Sequence, residues 1–257
     1  GILVLVEIVT VAAVVTSQHL KTAEALNLHV EHRLRDVVDE TQENAKGFLK
    51  EAENAVRLGQ RVFLAKQLTF ARRGQVERYF FEQLAIVPHL DGMYVGTAEG
   101  EFLFVKRTND RPDAYTVTKH IRVENGLRRV EQVWRNMAFE EVAREPLPSD
   151  TYDPRKRPWY LGARSSPEGF WTSPYIFFTS RVPGITFALP IQQGLGSSDA
   201  VIGADIELSS LSAFLETQQA AEIGAPVIIN HDGDVLAHPD AKQLPRPAGD
   251  DTLRLAK

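Results

Sequence analysis

Tyr152-Asp-Pro-Arg-Lys-Arg-Pro-Trp-Tyr160 is the stretch of the sequence that says most about the fold. Two later segments accompany it, Trp171-Thr-Ser-Pro-Tyr-Ile-Phe-Phe-Thr179 and Val201-Ile-Gly-Ala-Asp-Ile206. The two prolines of the first segment restrict its backbone and favour a loop over a strand. Arginine offers a planar fork of donors to a carboxylate, while tryptophan and tyrosine offer flat apolar walls with a polar edge. The segment therefore has the parts of a pocket for a small anion.

The third segment contributes Asp205, an acidic residue on a predicted strand. Because a desolvated charge needs a partner, Asp205 can pair with an ammonium group on the same ligand. A second interpretation is purely structural: the arginine stacks on a buried aromatic cluster, and Asp205 caps the helix predicted near Ser209 or forms a salt bridge. That second interpretation is the commoner one for an arbitrary sequence, so the residues alone leave both open.

Short apolar runs and turn signals surround these segments and predict an antiparallel sheet. The clearest turn is Asn125-Gly126, since both residues adopt the positive φ angles of a tight hairpin. The predicted strands are 91–95, 101–105, 115–123, 127–135, 171–178, 185–191 and 200–208. A helix is predicted over 75–86. Meandering strands with helices packed against them make this an α+β fold.

A long N-terminal helix is predicted over residues 17–68, which hold no proline and are rich in good helix formers. Alternating spacings of four and three select one seam, namely Leu34, Val38, Thr41, Ala45, Phe48, Ala52 and Ala55. Such a seam suits a helix that packs on a partner, here a second copy in a homodimer, or on its own domain. The two alternatives have about equal weight.

Residues 1–16 are almost wholly apolar, with Glu7 as their only charge. The stretch is shorter than the roughly 20 residues that cross a bilayer. We expect it to be the end of a transmembrane helix; a signal-peptide core and a buried strand or helix are the alternatives. This expectation gives the chain a membrane anchor.

The C-terminal part is predicted to begin a second lobe. A connecting helix is expected over 209–224, with Ser209 or Ser210 as its cap. A hairpin follows, with strands in 225–230 and 234–238 around His231-Asp-Gly233. Residues 239–257 are polar and show no further strand pattern, so 225–257 is interpreted as the start of a lobe that is cut off.

The three segments together resemble one known family. Asp-Pro-Arg-x-Arg-Pro-Trp-Tyr, Trp-Thr-x-Pro-Tyr, Gly184-Ile-Thr186 and Val-Ile-Gly-x-Asp-Ile are similar to the membrane-distal lobe of double Cache sensor domains. These domains occur in bacterial chemoreceptors, sensor histidine kinases and nucleotide or cyclic-dinucleotide enzymes. The resemblance implies a PAS-like distal lobe over 69–208, with the ligand pocket, and a second PAS-like lobe that is truncated here. It also implies a receptor in the inner membrane whose sensor lies in the periplasm.

Part of that family binds free amino acids, and its motif matches this chain residue by residue. The resemblance implies that Tyr152, Arg157, Trp159 and Tyr160 form the pocket, with Arg157 and Trp159 on the α-carboxylate. Asp205 would then receive the α-ammonium, and Tyr175 would line the same pocket. Phe177 departs from the pattern, because many amino-acid binders have an acidic residue there. A small organic acid is therefore the nearest competing ligand.

Other functions have weaker support in the sequence. The formal net charge is -5, so no basic surplus indicates nucleic acid, and the absence of cysteine removes disulfides and thiolate metal sites. No metal or cofactor is expected, since the histidines lack a metal-binding spacing and no nucleotide motif is present. A secreted hydrolase would need a carboxylate pair among Asp150, Asp153, Glu168 and Asp205. A ligand-free structural module is the third class; the resemblance favours a sensor that is not an enzyme.

Overall fold

The computed structural model describes residues 2–192, 200–218, 226–240, 244, 246–247 and 253–254, with the backbone alone for 2–31, 246–247 and 253–254. Its architecture is α+β, which confirms the predicted fold class. One large antiparallel sheet carries three helices on one face, and an aromatic cluster with one short helix on the other. The sheet positions the candidate site.

Nine strands form the main sheet. They are β1 (Gly92–Thr97), β2 (Phe102–Arg107), β3 (Thr116–Glu124), β4 (Leu127–Arg135), β5 (Glu141–Pro146), β6 (Phe170–Trp171), β7 (Tyr175–Ile176), β8 (Pro183–Ile191) and β9 (Ala200–Glu207). Their order is β5-β4-β3-β2-β1-β9-β8-β6, and β7 also pairs with β8. Neighbouring strands are antiparallel, so β9, from late in the chain, lies beside β1 in the middle of the sheet.

Side chains alternate between the two faces of the sheet, as the two-residue period of a strand requires. On β1, Met93 and Val95 belong to the core on the helical face, whereas Tyr94 belongs to the aromatic cluster on the other face. The aromatic face holds Phe102, Tyr152, Trp159 and Tyr160 among others. The sheet therefore separates an aliphatic core from an aromatic one, and the candidate site lies in the aromatic one.

The long helix α1 (Ile2–Leu64) packs on β8 and β9. Ala45, Phe48, Ala52 and Ala55 of the predicted seam are buried, with Phe48, Ala52 and Ala55 in the core on the helical face. Leu34 and Val38, at the other end of the seam, are exposed by 40% and 59%. The C-terminal half of the seam thus packs on its own domain, and only the exposed half is left for a partner.

The remaining helices are α2 (Arg73–Ile86), α3 (Pro158–Arg164) and α4 (Leu208–Glu216), with short 3-10 turns at Phe70–Arg72 and Pro154–Lys156. Helix α4 begins at Leu208 with Glu207 as its N-cap, so the predicted serine cap is wrong. It covers the first part of the predicted connecting helix 209–224; residues 219–224 lie outside the described part of the chain.

The predicted C-terminal hairpin is present as β10 (Ile228–Ile229) and β11 (Val235–Ala237), and it packs on α4. Asn230 closes its turn by accepting hydrogen bonds from the backbone N–H groups of Asp232 and Asp234. Two further strands, β12 (Arg246–Pro247) and β13 (Leu253–Arg254), pair with each other where no strand was predicted. The division of 225–257 from the main sheet remains a prediction.

Candidate functional site

A small, partly open cavity of about 30 Å³ lies on the aromatic face of the sheet. Its walls come from β1, β2, β7, β9, the start of α3 and the segment that follows β7. The lining residues are Tyr94, Phe102, Phe104, Tyr152, Arg157, Trp159, Tyr175, Phe177, Phe178, Thr179, Ser180 and Asp205. Five of the six predicted site residues are in this set, so residues that are far apart in the sequence meet at one void.

Among the described residues, Asp205 is the only carboxylate that lines the cavity, and it is 6% exposed. Its Oδ1 accepts hydrogen bonds from Tyr94 Oη at 2.6 Å and Thr186 Oγ1 at 2.5 Å. No side chain in the described part of the chain donates to its Oδ2. Burial raises the pKa of Asp205 to about 7, and the hydrogen bonds from Thr186 and Tyr94 oppose that rise. One carboxylate oxygen is therefore fixed, and the other is left to accept from a ligand.

Arg157 is the cation of the cavity wall. It is the N-cap residue of α3, so the start of that helix fixes its backbone beside the cavity. Its Nη2 donates to the carbonyl oxygen of Ile176 at 2.8 Å. The guanidinium carbon lies 5.6 to 6.0 Å from the ring centres of Tyr152, Tyr175 and Phe178. The predicted stacking of the arginine on aromatic rings is thus present together with the cavity.

The aromatic residues of the motif do not all serve as predicted. Trp159 lines the cavity, and its Nε1 donates to Tyr152 Oη at 3.3 Å. Tyr175 also lines it and shares a hydrogen bond with Thr186 Oγ1 at 2.8 Å. Tyr160, expected in the wall, does not line the cavity; it is buried behind Trp159 with the two rings edge-on at 5.4 Å. Its contribution is to support the indole.

Sequence reasoning missed Tyr94, which lines the cavity and holds Asp205. Tyr94 lies opposite Gly203 on β9, and a Cβ at Gly203 would come within 2.6 Å of the tyrosine ring. A glycine in the middle of a buried strand is the signal that a large side chain approaches closely. Burial raises the pKa of Tyr94 well above its usual value, so its hydroxyl stays protonated and donates.

Phe177 forms part of the wall between the cavity and an outer cleft of about 380 Å³. Both voids are bordered by Phe104, Phe177, Ser180 and Asp205, and the outer cleft also by Asp91, Lys106 and Asp110 among others. The ring of Phe177 fills the space beside Gly184, where a Cβ would lie 2.1 Å from it. An aromatic ring therefore occupies the position at which many amino-acid binders of the resembled family have an acidic residue.

The geometry argues against the structural role considered for Asp205 and against a hydrolase site. Asp205 neither caps α4 nor forms an ion pair among the described residues. Of the four carboxylates considered for a hydrolase, only Asp205 reaches the cavity; Asp150 pairs with Lys119 and Arg128, and Asp153 pairs with Arg155. Within the described part of the chain, no group of acidic residues and histidines is arranged to hold a metal ion.

Where side chains are described, no helix is both long enough and apolar enough to cross a membrane. The apolar residues 2–16 belong to α1, but their side chains lie outside the described part. The expectation that 1–16 ends a transmembrane helix is therefore not tested by the structure.

The region around the cavity is similar to known sensor domains. Residues 114–213 match the family model for the first PDC sensor domain of methyl-accepting chemotaxis protein-like proteins. The methyl-accepting chemotaxis protein PctB of Pseudomonas aeruginosa is 34% identical over 104 residues, which are 40% of this chain and 16% of PctB. Adenylate cyclase 1 of Rhizobium meliloti is 25% identical over 175 residues, 64% of this chain and 26% of the cyclase. This chain thus matches only a small part of each relative's length.

Solved structures agree on the fold. The ligand-binding domain of the Pseudomonas aeruginosa amino acid chemoreceptor PctB, solved in complex with L-Gln, superposes with a TM-score of 0.51 at 22% identity. The superposition covers 82% of this chain and 69% of that domain. At this level of identity the likeness shows the fold. Together with the family match, it confirms the resemblance to receptor sensor domains.

Proposed function

We propose that this chain is the extracytoplasmic sensor of a bacterial membrane receptor, and that its cavity binds a free amino acid, since residues 114–213 match the family model for the first PDC sensor domain of methyl-accepting chemotaxis protein-like proteins. One observation carries the proposal: the cation Arg157 and the carboxylate Asp205 line the same buried aromatic cavity. A free amino acid has the two opposite charges that such a pair complements.

The ammonium of the ligand would bind to Oδ2 of Asp205, while Tyr94 and Thr186 keep the carboxylate in place through Oδ1. The carboxylate of the ligand would bind to the guanidinium of Arg157. Charge-assisted hydrogen bonds are about twice as strong as neutral ones, and the aromatic walls remove the water that would weaken them. The cavity residues therefore select a small zwitterion by its two ends.

Ligand binding requires the cavity to expand. About 30 Å³ holds little more than water, and a free amino acid is larger. Phe177 and Ser180 border both the cavity and the outer cleft, so movement of their segment would join the two voids. Because a ligand shifts a conformational equilibrium only by its different affinity for the two states, this movement is the step that would couple binding to signalling.

A receptor of this kind would also need a membrane anchor and a second copy of the chain. Residues 1–16 would anchor α1 in the inner membrane, and the exposed Leu34 and Val38 would meet the same helix of a second copy. The change would pass from the sensor along α1 and through the part that follows α4. Sedimentation analysis of the chain tests the dimer; a monomer at high concentration, with and without ligand, would refute it.

A small organic acid is the second candidate ligand, and Phe177 is the observation that favours it. The ring occupies a place next to Asp205 where a second acid would strengthen the hold on an ammonium group. A ligand with a carboxylate and an uncharged second end would use Arg157 in the same way. It would bind best with Asp205 protonated, which makes the two candidates separable by pH.

A thermal-shift screen of amino acids and small organic acids tests the proposed function. A ligand at one hundred times its dissociation constant stabilises the protein by about 2.7 kcal/mol. We expect Arg157→Ala to abolish the shift. Arg155→Ala is the matched control, because Arg155 is exposed and pairs with Asp153 outside the cavity. A shift that survives Arg157→Ala would refute the assigned site, and the absence of any shift in the wild type would refute both ligand classes.

A further inference from the structure

Lys119 is a buried cation beside the cavity that the amino-acid site does not account for. It lies on β3 and is 3% exposed. Its Nζ donates to Asp150 Oδ2 at 2.8 Å and to Thr179 Oγ1 at 3.1 Å. A buried ammonium is costly unless its hydrogen bonds are satisfied, so these two partners hold Lys119 in place.

The two partners belong to different segments, and only Thr179 lines the cavity. Thr179 is in the cover segment, which we define as residues 177–180; all four residues line the cavity. Asp150 belongs to a segment that we call the rim, residues 150–152, of which Tyr152 lines the cavity. Oδ1 of Asp150 accepts from the backbone N–H of Tyr152 at 3.0 Å and from Arg128 Nη2 at 2.8 Å. Lys119 therefore joins the cover segment to the rim.

The ammonium also contacts the aromatic rings that separate it from Arg157. Lys119 Nζ is 5.4 Å from the ring centres of both Tyr152 and Phe178. The guanidinium carbon of Arg157 is 6.0 and 5.9 Å from the same two rings. One ring belongs to the rim and the other to the cover segment, so each cation lies near a ring of both segments.

We propose that Lys119 is a positioning residue of the ligand site: its hydrogen bond to Thr179 keeps the cover segment closed over the cavity and slows ligand release. The part about ligand release rests on the proposed function. The bond between Lys119 and Thr179 must break when the cover opens. The ion pair with Asp150 stays intact on the rim, and water replaces the threonine hydroxyl at the ammonium. The hydrogen bond between Lys119 and Thr179 can therefore break without leaving the buried ammonium of Lys119 unpaired.

Hydrogen exchange of the ligand-free protein tests directly whether the hydrogen bond between Lys119 and Thr179 keeps the cover segment closed. The cover segment leads into a turn in which the N–H of Phe177 donates to Val182 and the N–H of Arg181 donates to Phe177, both at 2.9 Å. Faster exchange of these two amides would report opening of the cover segment. We expect Thr179→Val and Lys119→Met to speed their exchange by about three- to tenfold, the value of one ordinary hydrogen bond, while amides in the middle of β3 stay unchanged.

Lys156→Met is the matched control, since it removes an exposed lysine near the same rim. Exchange of these amides at the wild-type rate in Thr179→Val would overturn the proposal, as would an equal increase in the control. Thr179→Val leaves the ion pair of Lys119 and Asp150 intact, so it decides the matter if Lys119→Met does not fold.

Ligand release is then measured by stopped flow, with an amino acid that stabilises the wild type in the thermal-shift screen. We expect the dissociation rate constant to rise about three- to tenfold in Thr179→Val and to stay at the wild-type value in Lys156→Met. An unchanged rate constant in Thr179→Val would overturn the proposal even if exchange increases. If no amino acid binds to the wild type, the proposed function fails, and the exchange experiment alone decides whether Lys119 holds the cover.

Discussion

The affinity for a free amino acid should rise with pH, because the ammonium needs the ionised form of Asp205. Burial raises the pKa of that carboxyl to about 7, so protonated and ionised forms are both present near neutral pH. An ammonium group binds to the ionised form. The ligand keeps its own ammonium in this range, so the change in affinity comes from the protein and mainly from the ionisation of Asp205.

The expected magnitude follows from that pKa. With a pKa of about 7, roughly a tenth of the Asp205 side chains are ionised at pH 6 and roughly nine tenths at pH 8. The association constant should therefore increase about tenfold between these values. The free energy of unfolding of the ligand-free protein should change in the opposite direction. Because the pKa of folded Asp205 lies above its ordinary value of 3.8, stability declines as pH rises from about 4 to about 7.

Isothermal titration calorimetry at pH 6 and pH 8 measures this change, with Asp205→Asn as the control that should remove it. Asp91 is the other carboxyl near the cavity whose pKa burial raises, to about 6, and Asp91→Asn separates its contribution. An affinity that falls as pH rises, and stops falling in Asp205→Asn, would identify a carboxylate ligand without an ammonium group. An affinity independent of pH would refute the reasoning about Asp205.

Two further predictions concern single side chains. Phe177→Ala should join the cavity to the outer cleft, so the thermal-shift screen should gain amino acids with longer side chains; the same ligand ranking in both proteins would contradict this. Glu77 is 2% exposed and forms two hydrogen bonds with an arginine of β4, at 2.6 and 3.0 Å. Glu77→Ala should lower the free energy of unfolding in urea by about 3–5 kcal/mol, because a buried guanidinium loses its partner. Glu82→Ala, which breaks an exposed pair on the same helix, should cost about 1 kcal/mol or less, and equal losses would contradict the argument.

Elements with strong local signals were predicted correctly from the sequence. The hairpin at Asn125-Gly126 is one example: φ is 51° at Asn125 and 76° at Gly126, and β4 has the predicted bounds. Helix α3 was missed because the two prolines of its segment were interpreted as favouring a loop over a strand, whereas proline also suits the first position of a helix. Strand β5 was missed because it is a polar edge strand, held mainly by its backbone pairing with β4.

The sequence predicted the motif residues of the site but not the residues that hold them in place. Trp159 and Tyr160 are neighbours on α3, where successive side chains point about 100° apart, so only Trp159 faces the cavity. Tyr94 and Lys119 reach the site through strand pairings between distant parts of the chain. No local pattern encodes such a register, which explains why the residues that hold Asp205 and the cover segment were absent from the sequence prediction.

The central claim is that Asp205 and Arg157 bind the two ends of one ligand. A calorimetric cycle tests it most directly: the amino acid that binds and its analogue without the amino group are each titrated into the wild type and into Asp205→Asn. The account predicts that the wild type prefers the amino acid by about ten- to a hundredfold, the value of one charge-assisted hydrogen bond, and that Asp205→Asn loses this preference. The same preference in both proteins would show that the ammonium group binds elsewhere.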